Sequence, residues 1–289
     1  MKQLLCPLLV VFQMVSCNAT SSPIEAGTVT WGRDLDAALA LSRQSGKPVF
    51  ALFQEIPGCA GCQQFGRDVL SHPVLVEAIE TEFTPLLIHN NKPGRDADVL
   101  QRFGEPAWNF QVVRFLDAEA RDIIPRRDHV WDTKGIADRM IATLQAAKRP
   151  VPAYLSLLAS EHSPQLEQAV FSMYCFWSGE VALGLVDGVV TTQAGFSGGH
   201  EVVRVRYDPS VVSLADLRAV AEKKACRHLG TAPDYRAAPA GDQKKQLEGT
   251  VLATLPLTPA QATKFNAWRT VDLNKAASFL APSQRAGLR

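Results

Sequence analysis

The chain has almost no net charge: 30 Lys and Arg stand against 29 Asp and Glu in 289 residues. There is no long basic tract either, which excludes a protein that holds nucleic acid or another polyanion by electrostatics. Beyond its first residues the sequence lacks an apolar run long enough for a transmembrane helix. It also lacks internal repeats and low-complexity segments, which excludes a solenoid and a disordered tail. One Cys-x-x-Cys is present, but a second, or a His-x-x-x-His to complete a zinc site, is missing. Six cysteines in a chain that is 46% hydrophobic are not needed as staples for want of a core. What is there is length for two domains of ordinary size, and enough apolar sequence for a core in each.

The N-terminus reads as a targeting segment over residues 1–19. Lys2 gives a short positive start, and residues 4–15 are apolar but too short to span a bilayer comfortably. Met14-Val15-Ser16-Cys17 resembles a bacterial lipoprotein cleavage box, with Cys17 as the lipid anchor; ordinary cleavage after Ala19 is the alternative. Both place the mature chain in the periplasm or cell envelope. Cys6 and Cys17 then belong to the signal, leaving Cys59, Cys62, Cys175 and Cys226. In an exported protein such a set reads as redox chemistry or a disulfide framework.

Residues 34–44 show helical spacing at Leu35, Leu39 and Leu41, with Asp34 as N-cap and Gly46 as the stop. Residues 48–53 form a continuous apolar run, a buried strand. Cys59-Ala60-Gly61-Cys62 follows and leads into a helix through Val69-Leu70. A second helix begins at Pro73 and ends by Phe83. Residues 86–88 predict a strand, 96–103 a short helix, 110–116 a strand and 136–147 a closing helix. Lys148-Arg149-Pro150-Val151-Pro152 breaks the pattern, so the boundary is expected there, with one domain over 31–148 and the next over 154–289.

A strand, then Cys-x-x-Cys at a helix start, then further strands and a final helix, is the order of a thioredoxin-like α/β domain. Ile56-Pro57-Gly58-Cys59-Ala60-Gly61-Cys62 is similar to a group of exported bacterial thioredoxin-like proteins whose first Cys position can be selenocysteine. The resemblance implies that Cys59 attacks, that Cys62 resolves, and that Pro106 is the substrate-clamping cis-proline before a strand at 108–116. Two positions depart from common thioredoxins: Gly58 replaces a Trp, and Phe53 replaces a buried Asp that assists proton transfer. Glu55 is a candidate replacement for that acid, against the reading of an exposed surface charge.

In the second unit, Tyr174-Cys175-Phe176-Trp177-Ser178-Gly179-Glu180 sets a thiol against two aromatic rings just ahead of a helix. A sulfur there meets unpaired N–H groups and the positive end of the helix dipole. Gly188-Val189-Val190-Thr191-Thr192 follows, then Ala194-Gly195-Phe196-Ser197-Gly198-Gly199, then Glu201-Val202-Val203-Arg204-Val205-Arg206-Tyr207-Asp208-Pro209. Val203 and Val205 alternate with Arg204 and Arg206, a half-buried strand. Residues 213–226 predict an amphipathic helix capped by Ser213, and Thr258-Pro259 opens the last helical stretch.

The order and wording of these motifs resemble the A-type peptide methionine sulfoxide reductases, which implies an α+β, ferredoxin-like second domain. By that resemblance Cys175 is the nucleophile, Phe176 and Trp177 form a pocket for the S-methyl group, and Glu201 is the acid. Cys226 is the candidate resolving thiol and Tyr235, in Gly230-Thr231-Ala232-Pro233-Asp234-Tyr235-Arg236, a substrate-binding tyrosine. Glu180 reads as a helix-surface residue, with its place in the family motif as the alternative, and His200 reads as an exposed loop residue. The family's loop between its Gly-Gly turn and the acid is missing, since only His200 separates Gly199 from Glu201.

These features imply an exported oxidoreductase without cofactor or metal, which reduces methionine sulfoxide at Cys175 with Cys59 and Cys62 as internal reductant. Its partners would be oxidised or disulfide-bearing proteins or peptides and an upstream thiol–disulfide reductant. A second reading is a thiol–disulfide oxidoreductase whose second domain only recognises partners. A third is a surface-anchored binding protein with a static Cys59–Cys62 disulfide.

Overall fold

The computed structural model describes residues 23–107, 111–230 and 232–288. The signal segment, with Cys6, Cys17 and Ala19, and residues 108–110 of the expected third strand lie outside them.

The first unit is built on a three-stranded sheet in the order β2-β1-β3. β1 (Val49–Gln54) is buried at every position, as its unbroken apolar run dictates. It pairs in parallel with β2 (Thr84–His89) and antiparallel with β3 (Gln111–Leu116). α1 (Leu35–Ser45) starts where the Asp34 carboxylate accepts the Ala37 N–H and stops at Gly46, whose φ of 68° suits glycine. α2 (Ala60–Asp68) carries the dithiol, and α3 (Pro73–Glu82) opens with proline in its first turn. α4 (Arg95–Phe103) covers one side of the sheet beside α1, and α5 (Thr133–Ala146) follows the third strand. The core gathers Phe50, Leu52, Phe65, Leu75, Phe115 and Met140 around the sheet.

The expected boundary moves. α6 (Ala153–Glu161) sits after the Pro150–Pro152 break, yet Tyr154, Leu155 and Leu158 enter the first core. The break is a turn between α5 and α6, and the helix it delivers closes the first unit. Leu157, on another face of α6, packs with Val190 and Ala260 of the second.

The second unit is α+β. β4 (Glu167–Ser172), β5 (Val189–Ser197), β6 (His200–Tyr207) and the short β7 (Arg236–Ala237) form an antiparallel-paired sheet in the order β4-β6-β5-β7. α7 (Phe176–Gly184) connects β4 to β5, and α8 (Leu214–Glu222) follows β6 behind a Ser213–Asp216 capping box. α8 ends before Cys226 because Ala225 takes a left-handed φ of 55°.

The C-terminal stretch is part of both units. α9 (Pro259–Trp268) lies on α7, and the buried Lys264 ammonium donates to the carbonyls of Gly184 and Val186 at 2.9 Å each. A cation at a helix C-terminus suits the helix dipole. α10 (Leu273–Ser278) leads to α11 (Pro282–Ala286), where the Ser283 amide and hydroxyl donate to Glu77 of α3 at 3.0 and 2.6 Å.

Candidate redox centres

Cys59 is the N-cap of α2 and is exposed, while Cys62, one turn on, is buried. Their sulfurs lie 3.4 Å apart. The Cys62 backbone N–H, with help from the Cys62 thiol, holds Cys59 below the ordinary thiol range. Burial pushes the Cys62 thiol the other way, up to about 12. The pair is thus differentiated into an accessible sulfur and a protected one.

Four residues that the sequence reading did not single out hold this loop. Gly58 N–H donates to the buried Glu25 carboxylate at 2.9 Å, and the Asn91 amide donates to the Pro57 carbonyl at 3.3 Å. Gln54, the one polar residue of β1, donates to the carbonyls of Glu25 and Cys62 at 2.8 and 3.3 Å. The Cys62 thiol points to the Gln111 side chain, 3.6 Å from its oxygen. Gln54 alone had a visible signal, a polar side chain ending an apolar run. A Cβ at Gly58 would stand 2.4 Å from the Glu55 carbonyl and 2.7 Å from Cys62 Cβ, so no larger residue fits this turn.

Two expectations for this centre change. Among the described residues the cis peptide is Ile56–Pro57, not the bond before Pro106. The residue facing the dithiol from the start of β3 is Gln111, because Pro106 lies five positions upstream of that strand. Glu55 is half-buried, with a carboxylate oxygen and both sulfurs all within 4.8 Å of one another. Glu55 therefore stands beside the dithiol and is not fully exposed. The same three donors are the one group with metal-ligating spacing among the described residues.

In the second unit Cys175 caps the start of α7 and is half-buried. The Phe176 N–H donates to Glu201 Oε2 at 2.7 Å, so the carboxylate stands at the start of the cysteine's helix. The other carboxylate oxygen has no hydrogen-bond partner among the described residues. Phe176 meets Trp177 and Phe196 edge-on, with ring centroids 5.6 Å apart in each pair. Trp177 donates its indole N–H to the Asp242 carbonyl at 2.9 Å, and the Lys245 ammonium lies 4.8 Å over its ring. The start of α7 with Cys175, the Glu201 carboxylate and an aromatic wall therefore lie together, and residues 242–245 supply the outer support.

The shortened loop is a two-residue hairpin between β5 and β6, with Gly198 and Gly199 at φ 56° and 79°. Asp234 clamps it, accepting from the Ser197 hydroxyl at 2.5 Å and the Gly198 N–H at 2.6 Å. Hydrogen bonds from these two groups lower the Asp234 carboxyl below its ordinary range. The tip that precedes Glu201 is thereby fixed.

Cys226 lies at the same end of the sheet. Arg227 accepts the Ser172 N–H at 2.9 Å, three residues before Cys175. The Cys226 thiol is buried and donates to the Lys224 carbonyl at 3.1 Å.

Tyr235 does not join the pocket. Its ring lies where a Cβ of Gly195 would point, 2.4 Å away, whereas the neighbouring Phe196 packs on Phe176. Successive strand residues face opposite sides, so Tyr235 is on the far face of the sheet from Cys175. There it donates to the Ala194 carbonyl at 3.1 Å, under the Arg204 guanidinium 4.2 Å away. Glu180 is likewise not on the helix surface. It is fully buried, paired with the Lys244 ammonium, and accepts the Lys244 N–H at 2.9 Å. His200 is exposed, as read.

Residues 30–118 match the family model described as Thioredoxin-like. The first unit is a thioredoxin-like domain. A peptide methionine sulfoxide reductase MsrA 1 of Nostoc sp. is 39% identical over 80 residues, 22% of this chain and 48% of the relative. The Methanococcus maripaludis MsrA is 34% identical over 94 residues, 27% of this chain and 58% of the relative. A Methanothermobacter thermautotrophicus MsrA is 41% identical over 68 residues, 18% of this chain and 40% of the relative. The chain thus spans about half the length of the curated relatives it matches. Among solved structures, a DsbH oxidoreductase aligns with a TM-score of 0.34 and 18% identity, covering 44% of this chain and 89% of its own.

Proposed function

We propose that this protein is a thiol-dependent oxidoreductase that reduces methionine sulfoxide at Cys175 and draws the electrons from the Cys59–Cys62 dithiol. The observation that carries the reading is the convergence of Cys175, the Glu201 carboxylate on the Phe176 N–H, and the Phe176–Trp177–Phe196 wall. The similarity to sulfoxide reductases supports it.

The chemistry needs a nucleophile, a proton donor for the sulfoxide oxygen and an apolar seat for the methyl group. Cys175 sulfur attacks the sulfoxide sulfur while Glu201, held by one oxygen, delivers a proton from the other. Breakdown releases the thioether and leaves Cys175 as a sulfenic acid. The Cys226 thiol then condenses with it, forming a disulfide and expelling water. In the last step Cys59 attacks that disulfide, and Cys62 displaces the mixed disulfide to leave Cys59–Cys62 oxidised. An upstream dithiol reductant completes the cycle, and an exported setting belongs to the same proposal.

Pre-reduced protein mixed with a methionine sulfoxide peptide, without other reductant, tests the reading. Methionine should form, and Cys175→Ser should abolish it. If Cys175→Ser and wild type yield equal methionine, the proposal fails. The alternative, a disulfide oxidoreductase with a recognition module, is favoured by Tyr235 lying outside the pocket.

A further inference from the structure

Three metal-ligating side chains meet where β1 turns into α2. A carboxylate oxygen of Glu55 and the sulfurs of Cys59 and Cys62 all lie within 4.8 Å of one another, and the sulfurs are 3.4 Å apart. A tetrahedral zinc-type ion, with Zn–S bonds of about 2.3 Å and a Zn–O bond of about 2.0 Å, sets its donors roughly 3.5–3.8 Å apart. The sulfurs already stand close to that separation. The flexible Glu55 side chain has at most about 1.3 Å to close.

Glu55 is half-buried, yet among the described residues its carboxylate makes no ion pair and accepts no hydrogen bond. A carboxylate drawn out of water is ordinarily held by a cation or by N–H donors. This one faces two thiols, and its negative charge raises both. A cation seated among the three groups turns that opposition into attraction. Two sulfurs with one carboxylate also form a selective donor set. Magnesium and calcium take oxygen donors, whereas zinc accepts thiolates and a carboxylate together.

The loop holds the three groups in place. Gln54, directly before Glu55, donates to the Cys62 carbonyl at 3.3 Å. The Ile56 N–H donates to the Asn91 side-chain oxygen at 3.3 Å, and the Asn91 amide donates back to the Pro57 carbonyl. Cys59 is exposed, so an ion can enter from solvent and water can take the fourth position. The third protein ligand thus comes from the residue that follows β1. A second cysteine or histidine pair, whose absence from the sequence speaks against zinc, is not required.

We propose that Glu55, Cys59 and Cys62 form a binding site for a divalent, thiolate-seeking cation of the zinc class, which holds the dithiol reduced and shields it from exchange. The site does not depend on the chemistry at Cys175. No electrons are transferred on binding. Each thiol gives its proton to solvent, and each sulfur donates a lone pair to the cation. The cation's charge removes the proton that burial keeps on Cys62, as it does for any coordinating thiol. A disulfide has no thiolate to offer, so the bound ion and the Cys59–Cys62 disulfide exclude each other. Withdrawal of the ion returns a free dithiol.

The test titrates the pre-reduced, chelator-treated full chain with Zn²⁺ against a chromophoric chelator. Wild type should bind one equivalent more than the Cys59→Ser/Cys62→Ser protein. Glu55→Gln, with an unchanged circular dichroism spectrum, should bind that equivalent at least about tenfold more weakly. X-ray absorption of wild type loaded with one equivalent should show two sulfur scatterers at about 2.3 Å with oxygen completing the shell. That reading also stands if Glu55→Gln does not fold. Saturating Zn²⁺ should slow iodoacetamide labelling of Cys59 at least about tenfold, and EDTA should restore it. Equal zinc binding by wild type and the double serine variant, an adventitious ion only, overturns the proposal. So does equal affinity in folded Glu55→Gln, a shell of three or four sulfurs, or labelling of Cys59 that zinc does not slow.

Discussion

Glu201 Oε2 lies 2.7 Å from the N–H of Phe176, the residue after Cys175. One oxygen fixes the carboxylate, and under the proposed function the second is the proton donor. Glu201→Gln keeps an acceptor for the Phe176 N–H but loses the acid. Sulfoxide reduction should slow by roughly 10²–10⁴, the weight of general acid catalysis, with an unchanged melting temperature. Glu201→Ala should slow it as much and also lower the melting temperature, since it removes the acceptor at the helix start. Equal rates in wild type and Glu201→Gln would remove Glu201 from the chemistry.

The dithiol should show its asymmetry in alkylation. Cys59, lowered by the Cys62 N–H, should react with iodoacetamide well before Cys62, with its rate inflecting below the ordinary thiol range. The Glu55 charge raises both thiols, so Glu55→Gln should move the Cys59 inflection further down. The same change removes a proton acceptor beside Cys62, so a mixed disulfide at Cys59 should persist longer than in wild type. A reduction potential in the range of roughly −270 to −180 mV is expected for a reversible pair. A mixed disulfide resolved equally fast in Glu55→Gln would exclude that residue.

Gly58→Ala should destabilise the first domain by roughly 1–3 kcal/mol and slow disulfide exchange. The new methyl group would meet the Glu55 carbonyl and Cys62 Cβ, which cannot both retreat. Urea denaturation of the two proteins measures the loss.

Lys264 is buried and its pKa is lowered by burial to about 8. Its folded value lies below its unfolded one, so the native state binds fewer protons between about 8 and 10.5, and stability rises with pH there. The stability of wild type relative to Lys264→Met should therefore increase by up to about 3 kcal/mol across that window. A difference that stays flat would mean that burial does not lower the Lys264 ammonium below its ordinary range.

Local signals in the sequence located most elements. The Asp34 cap, the Gly46 stop, the apolar run of β1 and the Val–Arg alternation of β6 each depend on neighbours in the chain, and all lie where they were read. Cys175, Phe176 and Glu201 meet as the motif order implied. What escaped depends on contacts distant in sequence. Glu25 and Gln111 reach the dithiol from 37 residues before Cys62 and 49 after it, and no spacing rule announces them. Glu180 reads as surface because its burial comes from Lys244, 64 residues later. Tyr235 matches a motif, but the register of β7 on β5 puts it on the opposite face.

The most direct test is to trap Cys175 after one turnover. Pre-reduced Cys226→Ser/Cys59→Ser/Cys62→Ser protein would be mixed with a methionine sulfoxide peptide and a dimedone-type probe, then mapped by mass spectrometry. The account predicts one equivalent of methionine per chain and a sulfenic acid adduct at Cys175. An unmodified Cys175 with no methionine formed, in protein whose wild-type dithiol still exchanges disulfides, would contradict it.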